Sequence, residues 1–236
     1  MTAMEDFGKK MTSIFFAEWN IQNARVVPKT EDVVQYNGAK RLEATYLYAD
    51  MADSTRLVKD IEPEDAARVI RAYLRVAVDC IRAKGGHVRS FDGDRVMGIF
   101  IGDTRRNDAV EAALNISWVV EKALNPSLRL RLWNAPKQFE VSHRSGIDDG
   151  DTFIVRGGAR DNSDLVSIGD APNIAAKLSA IRNESGNITV TNRVHDSLFD
   201  YNKTSKSGEA MWSKRATSLV GPHLVVTYNC GWMREP

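Results

Sequence analysis

Cysteine is nearly missing from this chain: Cys80 and Cys230 are the two in 236 residues. That excludes a disulfide framework, and because the two lie far apart without metal-ligand spacing it argues against a cysteine zinc site. A reducing, cytosolic setting is the simpler expectation. The four histidines, His87, His143, His195 and His223, also lack ligand spacing. No apolar run approaches the roughly 20 residues that span a bilayer, and the N-terminus lacks a signal-peptide core. Charge of one sign is lacking too: 32 basic residues against 31 acidic leave a formal +1, so no bulk field argues for nucleic acid or a membrane surface as partner. There is no Gly-x-Gly-x-x-Gly between strand and helix, no Walker A loop and no Gly-x-Ser-x-Gly elbow. A dinucleotide-binding Rossmann fold and a P-loop enzyme are thereby disfavoured, and nothing in the sequence marks a serine triad.

What is present is a globular composition, 43% hydrophobic and 27% charged, enough to bury a core. Residues 1–41 read as an N-terminal extension, in which Phe7 to Asn20 is expected to be a short helix with Phe15, Phe16 and Trp19 on its apolar side, for packing or dimer contact. A strand from Leu42 to Ala49 follows and delivers Asp50 to its carboxyl end. Glu62 to Lys84 is the clearest helix: Pro63 and the acidic Glu62, Glu64 and Asp65 suit its start, Val69, Tyr73, Val76, Ala77, Cys80 and Ile81 recur at helical spacing, and Gly85-Gly86 ends it. Cys80 within that stripe reads as a small buried hydrophobe.

His87 to Phe100 reads as a β-hairpin turning at Asp92-Gly93. A second helix is expected over about Asn107 to Leu124, stopped by Asn125-Pro126, then strands at Leu128 to Trp133, Phe139 to Ile147, Thr152 to Val155 and Leu165 to Ile168. Next comes a helix capped by Asp170, with Pro172 in its first turn and Gly186 closing it. On that helix Asn173 and Lys177 share one face, while Ile174, Leu178 and Ile181 turn inward. A strand from Asn187 to Thr191, a polar loop-rich stretch from Tyr201 to Arg215 and a closing strand from His223 to Tyr228 complete the chain. Strands alternating with amphipathic helices, plus a hairpin, predict an α/β (α+β) sandwich with a mixed, largely antiparallel sheet flanked by helices.

Two carboxylates stand out. Asp50 at a strand end and Asp94 at a hairpin tip would face each other if their strands are neighbours, and Mg²⁺ is typically held by one or two carboxylates plus substrate phosphates. The plain alternative is that both are ordinary turn formers.

Four blocks in order then carry a resemblance: YADMADST, GGHVRSFDGDRVMGIF, HRSGIDDGD, and IGDAPNIAAKLSAI before the strand ITVT. Over roughly Leu42 to Thr191 the chain resembles the class III nucleotidyl cyclase catalytic domain. The resemblance implies residues 42–230 as one catalytic domain with a short tail at 231–236, and a homodimer with two composite active sites. It implies that Asp50 and Asp94, with the carbonyl of Met51, bind two divalent cations, Mn²⁺ or Mg²⁺. Backbone N–H groups of Ala52, Asp53, Ser54 and Thr55 would cradle phosphate, and Asn173 and Lys177 would come from the other subunit, Asn173 orienting the ribose.

Three positions depart from the family. Lys177 replaces an arginine that meets charge on the α-phosphate; lysine keeps the charge but loses the bidentate fork, and Arg182 is a nearby helper. Ser90 stands where purine-selecting cyclases carry lysine or glutamate, and Val166 where their partner aspartate or threonine stands. A pocket built to hydrogen-bond one base rejects another because unpaired buried polar groups are costly. Losing both purine readers while keeping the metal pair resembles the soluble bacterial pyrimidine cyclases of the Pycsar anti-phage system. What that implies is a cytoplasmic uridylate cyclase whose cyclic UMP activates a separate effector protein. Ser90, Asp92, Arg89 and Tyr48 are the candidates around the base, and Lys214 and Arg215 are more remote candidates for the triphosphate. Cyclic CMP synthesis, an adenylate cyclase with an atypical pocket, and a nucleotide-binding module without turnover stay open.

Overall fold

The structure, a computed structural model, describes residues 2–135, 137–159, 162–181, 186–214, 218–220 and 222–236. In chain order the helices are α1 (Ala3–Phe16), α2 (Ser54–Asp60), α3 (Pro63–Ala83), α4 (Arg105–Val119), α5 (Asn125–Arg131), α6 (Asp170–Ser179), α7 (Asn192–His195) and α8 (Asp200–Lys203). The strands are β1 (Asn20–Asn23), β2 (Gly38–Ala52), β3 (His87–Asp92), β4 (Arg95–Phe100), β5 (Ser142–Ala159), β6 (Asn162–Ile168), β7 (Ile188–Thr191), β8 (Ser213–Lys214), β9 (Ser218–Val220), β10 (His223–Val225) and β11 (Thr227–Cys230). Among the described residues no helix is long and apolar enough to cross a membrane.

The chain forms two compact units, Ala44–Asp149 with Ala171–Pro236, and Met1–Glu43 with Gly150–Asp170. The long strands β2 and β5 each run through both. In the larger unit the strand order is β3-β4-β2-β5-β7-β11-β8. The pairs β3/β4, β4/β2, β7/β11 and β11/β8 are antiparallel, and β5/β7 is parallel. The expected mixed, largely antiparallel sheet is present.

Alternation along β2 sends Leu47, Ala49 and Met51 to one face, where they join Val69, Tyr73, Ala77 and Ile81 of α3 and Ala109, Val110 and Ala113 of α4 in one core. The α3 stripe is buried as its periodicity predicts, Cys80 included. Burial pushes the Cys80 and Cys230 thiols up to about 11, so at neutral pH neither is a thiolate nucleophile. On β5, Gly146 is where α6 presses on the sheet: a Cβ there would lie 2.1 Å from the Ala175 carbonyl oxygen.

Two adjacent carboxylates on β5 are buried and fully engaged. Asp149 accepts from Arg105 Nε at 2.7 Å, Arg106 Nη2 at 2.6 Å and Thr45 Oγ1 at 2.6 Å. Asp148 accepts from Thr191 Oγ1 at 2.5 Å, and from Arg193 Nε at 2.6 Å and Nη2. Single strands are thus tied to α4 and α7 by charge-assisted bonds.

In the smaller unit β1 runs parallel to the first residues of β2, and β6 is antiparallel to the second half of β5. Thr152 Oγ1 donates to the Leu42 carbonyl at 2.9 Å, and the Trp19 and Phe153 rings meet edge-on. Helix α1 starts at a capping box on Thr2 and has no buried residue.

Several elements differ from expectation. The first helix ends at Phe16, so Trp19 lies outside it. Asn125-Pro126 does not stop α4. A π turn at Val120–Leu124 intervenes and α5 continues to Arg131, so Leu128 to Trp133 is not a strand. Proline breaks a helix by losing an N–H and by clashing with the carbonyl four residues back; here it sits in the first turn of α5, after the widened π turn has reset the ladder. Asn125 then anchors the corner, its side chain exchanging two hydrogen bonds with the Val141 backbone at 2.9 and 2.8 Å. The expected strands Phe139 to Ile147, from Ser142 onward, and Thr152 to Val155 prove to be one strand, β5, while Phe139 to Val141 lie before it. Helix α6 ends at Ser179 and not at Gly186. The closing strand is two: β10 pairs with β9 apart from the main sheet, and β11 joins β7.

His143 is fully buried, its Nε2 3.2 Å from Ser117 Oγ, and burial lowers its pKa to about 4. The unfolded chain takes up that proton near 6.5 and the folded chain does not, so below 6.5 the unfolded state binds more protons. Stability is therefore expected to fall as pH drops from 6.5 toward 4, by roughly 1.4 kcal/mol per unit from this group. Urea midpoints across that window, compared with His143→Gln, check it: the difference in slope should vanish if His143 carries no such term.

Candidate active site

Asp50 pairs with Arg95 across β2 and β4, and Arg95 pairs with Asp92 across β4 and β3. The hairpin therefore closes with Gly93 and Asp94 as its two turn residues, one position later than the expected Asp92-Gly93. Gly93 has φ +62° and Asp94 has no positive φ. A positive φ at the first central residue alone is the pattern of a II′ turn, which suits glycine there. The register sets Asp94 one residue beyond the partner of Asp50, so the two strand ends bring both carboxylates to one place.

Directly opposed residues share a sheet face. One row is Asp50, Arg95 and Asp92; the next is Tyr48, Met97 and Ser90. Tyr48, Ser90, Asp92 and Asp50 thus lie on the face opposite the helices, as alternation from Asp50 predicts for Tyr48. Arg89 is the extra residue where the β3 register shifts between Val88 and Ser90. Asp92 is held by Arg95, Nη2 to Oδ2 at 3.2 Å. Burial pushes the Tyr48 hydroxyl above its usual range, with Tyr46 and Asp92 adding and Arg95 opposing; the phenol stays protonated at neutral pH.

A cleft of about 730 Å³ opens at these strand ends, lined by Asp50, Met51 and Asp94. The Met51 side chain is buried in the core, which leaves its backbone to face the cleft. The opposite wall is Asp53, Ser54, Thr55, Arg56, Lys59 and Asp60. Asp53 has φ +59° and precedes α2. Aspartate tolerates that left-handed conformation better than most residues, and it lets β2 turn at once into a helix. Ala52 is buried beneath the turn.

The carboxylate pair fits a divalent cation. Asp94 Oδ2 is buried without a hydrogen-bond partner among the described residues, and a buried polar atom left unpaired is costly. Asp50 is itself buried. Among the described residues no cluster of three or more His, Cys, Asp or Glu side chains offers an all-protein metal site. A hard ion here would complete its shell with backbone carbonyl, water and phosphate, as Mg²⁺ does.

Asn173 and Lys177 are exposed on α6, while Ile174 and Leu178 pack inward with Val220, so the predicted split of faces holds. Neither Asn173 nor Lys177 lines the Asp50 cleft. Val166 is exposed on β6, in the smaller unit. Lys214 is exposed on β8; Arg182 and Arg215 lie outside the described residues. Arg95, Met97 and Lys59 are additions to the sequence reading. The signal for Arg95 was its place directly after Asp94, and strand pairing was needed to show that it faces Asp50.

Solved structures with this fold are class III cyclases. A bacterial light-regulated adenylyl cyclase superposes with TM-score 0.67 at 18% identity, over 84% of this chain and 53% of that one. The adenylyl cyclase CyaB from P. aeruginosa gives 0.63 at 20%, over 83% of this chain and 97% of that one. The fold is that of the class III nucleotidyl cyclase domain. No family model matches the chain, but full-length relatives do. It is 34% identical to a uridylate cyclase from Rhodovulum sp. (strain MB263), over 100% of this chain and 99% of that protein. It is 33% identical to a uridylate cyclase from Burkholderia cepacia, over 98% of each. The chain belongs to the uridylate cyclase family.

Millimolar Mn²⁺ is expected to raise the melting temperature by several degrees, since a ligand at about 100 times its Kd stabilises by about 2.7 kcal/mol. Asp94→Ala should abolish the rise and leave the metal-free melting temperature unchanged or higher, because it removes an unpaired buried oxygen. Differential scanning fluorimetry with and without EDTA reads both.

Proposed function

We propose that this chain converts UTP to 3′,5′-cyclic UMP and diphosphate, through a catalytic domain spanning residues 42–230. The observation that carries the reading is the Asp50–Asp94 pair with its unpaired oxygen, in a chain one-third identical over its whole length to proteins named uridylate cyclase. In the reaction the ribose 3′-oxygen bonds to the α-phosphorus, the bond from that phosphorus to the oxygen bridging toward the β-phosphate breaks, and diphosphate leaves with the electron pair. The 3′-hydroxyl proton passes to water.

Asp50, Asp94 and the Met51 carbonyl would hold two divalent cations, Mn²⁺ or Mg²⁺, which would supply acidification of the 3′-hydroxyl and neutralisation of the leaving diphosphate. Ala52, Asp53, Ser54 and Thr55 receive the phosphates in the cleft. Asn173 and Lys177 serve the site of a second copy in a homodimer, Asn173 holding the ribose and Lys177 the α-phosphate, which agrees with their exposure away from their own cleft. Tyr48 and Ser90 read the pyrimidine, helped by Arg89 and Asp92. The small Ser90 and Val166 leave no long side chain to satisfy a purine edge. The product acts as a second messenger in anti-phage defence, on a separate effector.

Lys177 favours a second reading, a module that binds nucleotide without turnover, because a single ammonium replaces a bidentate guanidinium. Mass spectrometry after incubation with equal ATP, GTP, CTP and UTP plus Mn²⁺ separates the readings. Cyclic UMP is expected to dominate; cyclic CMP or cyclic AMP would overturn the base assignment, and no cyclic nucleotide would favour the binding module. Asp50→Ala or Asp94→Ala should cut turnover by about 10²–10³-fold or more, and Lys177→Ala by about a hundredfold, as expected for groups that stabilise transition-state charge.

A further inference from the structure

The wall of the cleft facing Asp50 and Asp94 is helical and carries two cations, Arg56 and Lys59. On α2, Leu57 is fully buried, and at 100° per residue Thr55 and Lys59 fall on the side opposite to it, one turn apart. Both line the cleft with Asp50 and Asp94. Both also line an adjoining cavity of about 660 Å³ together with Asp94, Gly93 and Ser54. Lys59 therefore lines both spaces, as does Asp94, the carboxylate that carries the unpaired oxygen.

The other cation on this wall is already committed. Arg56 reaches Asp60 at 3.4 Å, and Asp60 is bound by Lys137 at 2.6 Å. The Lys137 hydrogen bond, with Arg56 adding, holds the Asp60 carboxyl below its ordinary range against a smaller opposing effect of burial. Lys59 has no hydrogen bond or ion pair among the described residues. The cleft otherwise presents the carboxylates of Asp50, Asp53, Asp60 and Asp94, a field that repels a nucleoside triphosphate. Divalent cations answer the charge at Asp50 and Asp94, and an uncommitted ammonium on the facing wall answers the far end of the polyphosphate. A lysine suits that task as a flexible point charge.

We propose that Lys59 is a positioning residue for the β- and γ-phosphates of the substrate, and that it holds the diphosphate after the α-phosphorus bond breaks. The assignment rests on the cyclase reading of the same cleft but not on which base is used. It places this contact in the subunit that supplies Asp50 and Asp94.

The test is calorimetric titration of the full-length protein with inorganic diphosphate in the presence of Mn²⁺, for the parent, Lys59→Ala and Lys59→Arg. Lys59→Ala is expected to weaken diphosphate binding about tenfold and to raise the KM for UTP by a similar factor, the scale of one charge-assisted contact. Lys59→Arg should restore most of both. The ratio of UTP to CTP turnover should stay unchanged, a readout that a disturbed fold or base pocket would move. Equal diphosphate affinity in parent and Lys59→Ala, or none in the parent, overturns the proposal. If the parent binds diphosphate through Lys59 but makes no cyclic UMP, the uridylate reading fails and this one stands.

Discussion

The antiparallel register of β2 against β4 is the constraint on which the site depends. It pairs Asp50 with Arg95 and so fixes Asp94, at the turn, as the neighbour of Asp50. Side chains alternate with period two, so a slip of one residue would send Asp50 into the helix-covered core and bring Met51 into the open. The register is held by the core itself: Leu47, Ala49, Met51, Val96 and Phe100 all bury against α3 and α4, and a slip would expose every one of them. Two carboxylates are thus kept close by hydrophobic burial on the other side of the sheet.

Ionic bonds do the corresponding work at β5. Asp148 and Asp149 are among the most buried charges in the structure. Burying a charge is expensive unless its partners are well placed, and breaking such a pair costs about 3–5 kcal/mol because an uncompensated charge stays behind. Three arginines and two threonines supply those partners, from β2, α4, β7 and α7. Central strands, the helix layer and the segment after β7 are thereby locked in one arrangement. Gly146, three residues before Asp149, lets α6 approach the same strand so closely that no side chain fits between them. Asn173 and Lys177 consequently sit on a helix whose placement is set by packing, on the face turned away from the core.

The rim around Tyr48 and Ser90 contrasts with the carboxylate end. Asp50 and Asp94 lie on strand and turn ends whose positions are dictated by pairing. Ser90 directly follows the β3 register shift, and Asp92 is exposed and tied to Arg95. Such a rim can change side chains without disturbing the core, which is how one fold can host different base preferences. Helix α2 belongs to the same logic: its inward residue Leu57 is fixed by packing, and its outward residues Thr55 and Lys59 line the cleft.

The sequence by itself determined the α/β alternation, helix α3 with its buried stripe and the opposite faces of α6, because periodicity and turn chemistry are local; motif order singled out Asp50 and Asp94, which strand pairing brings together. Tertiary structure decided the rest. The II′ turn falls at Gly93-Asp94 because strand pairing, and not dipeptide preference, sets where a hairpin closes. Pro126 starts α5 in place of ending α4 because a π turn relieved the clash that local rules assume. Arg95 and Lys59 became site residues only through register and cavity shape, which bring together groups far apart in sequence and leave no trace in local composition.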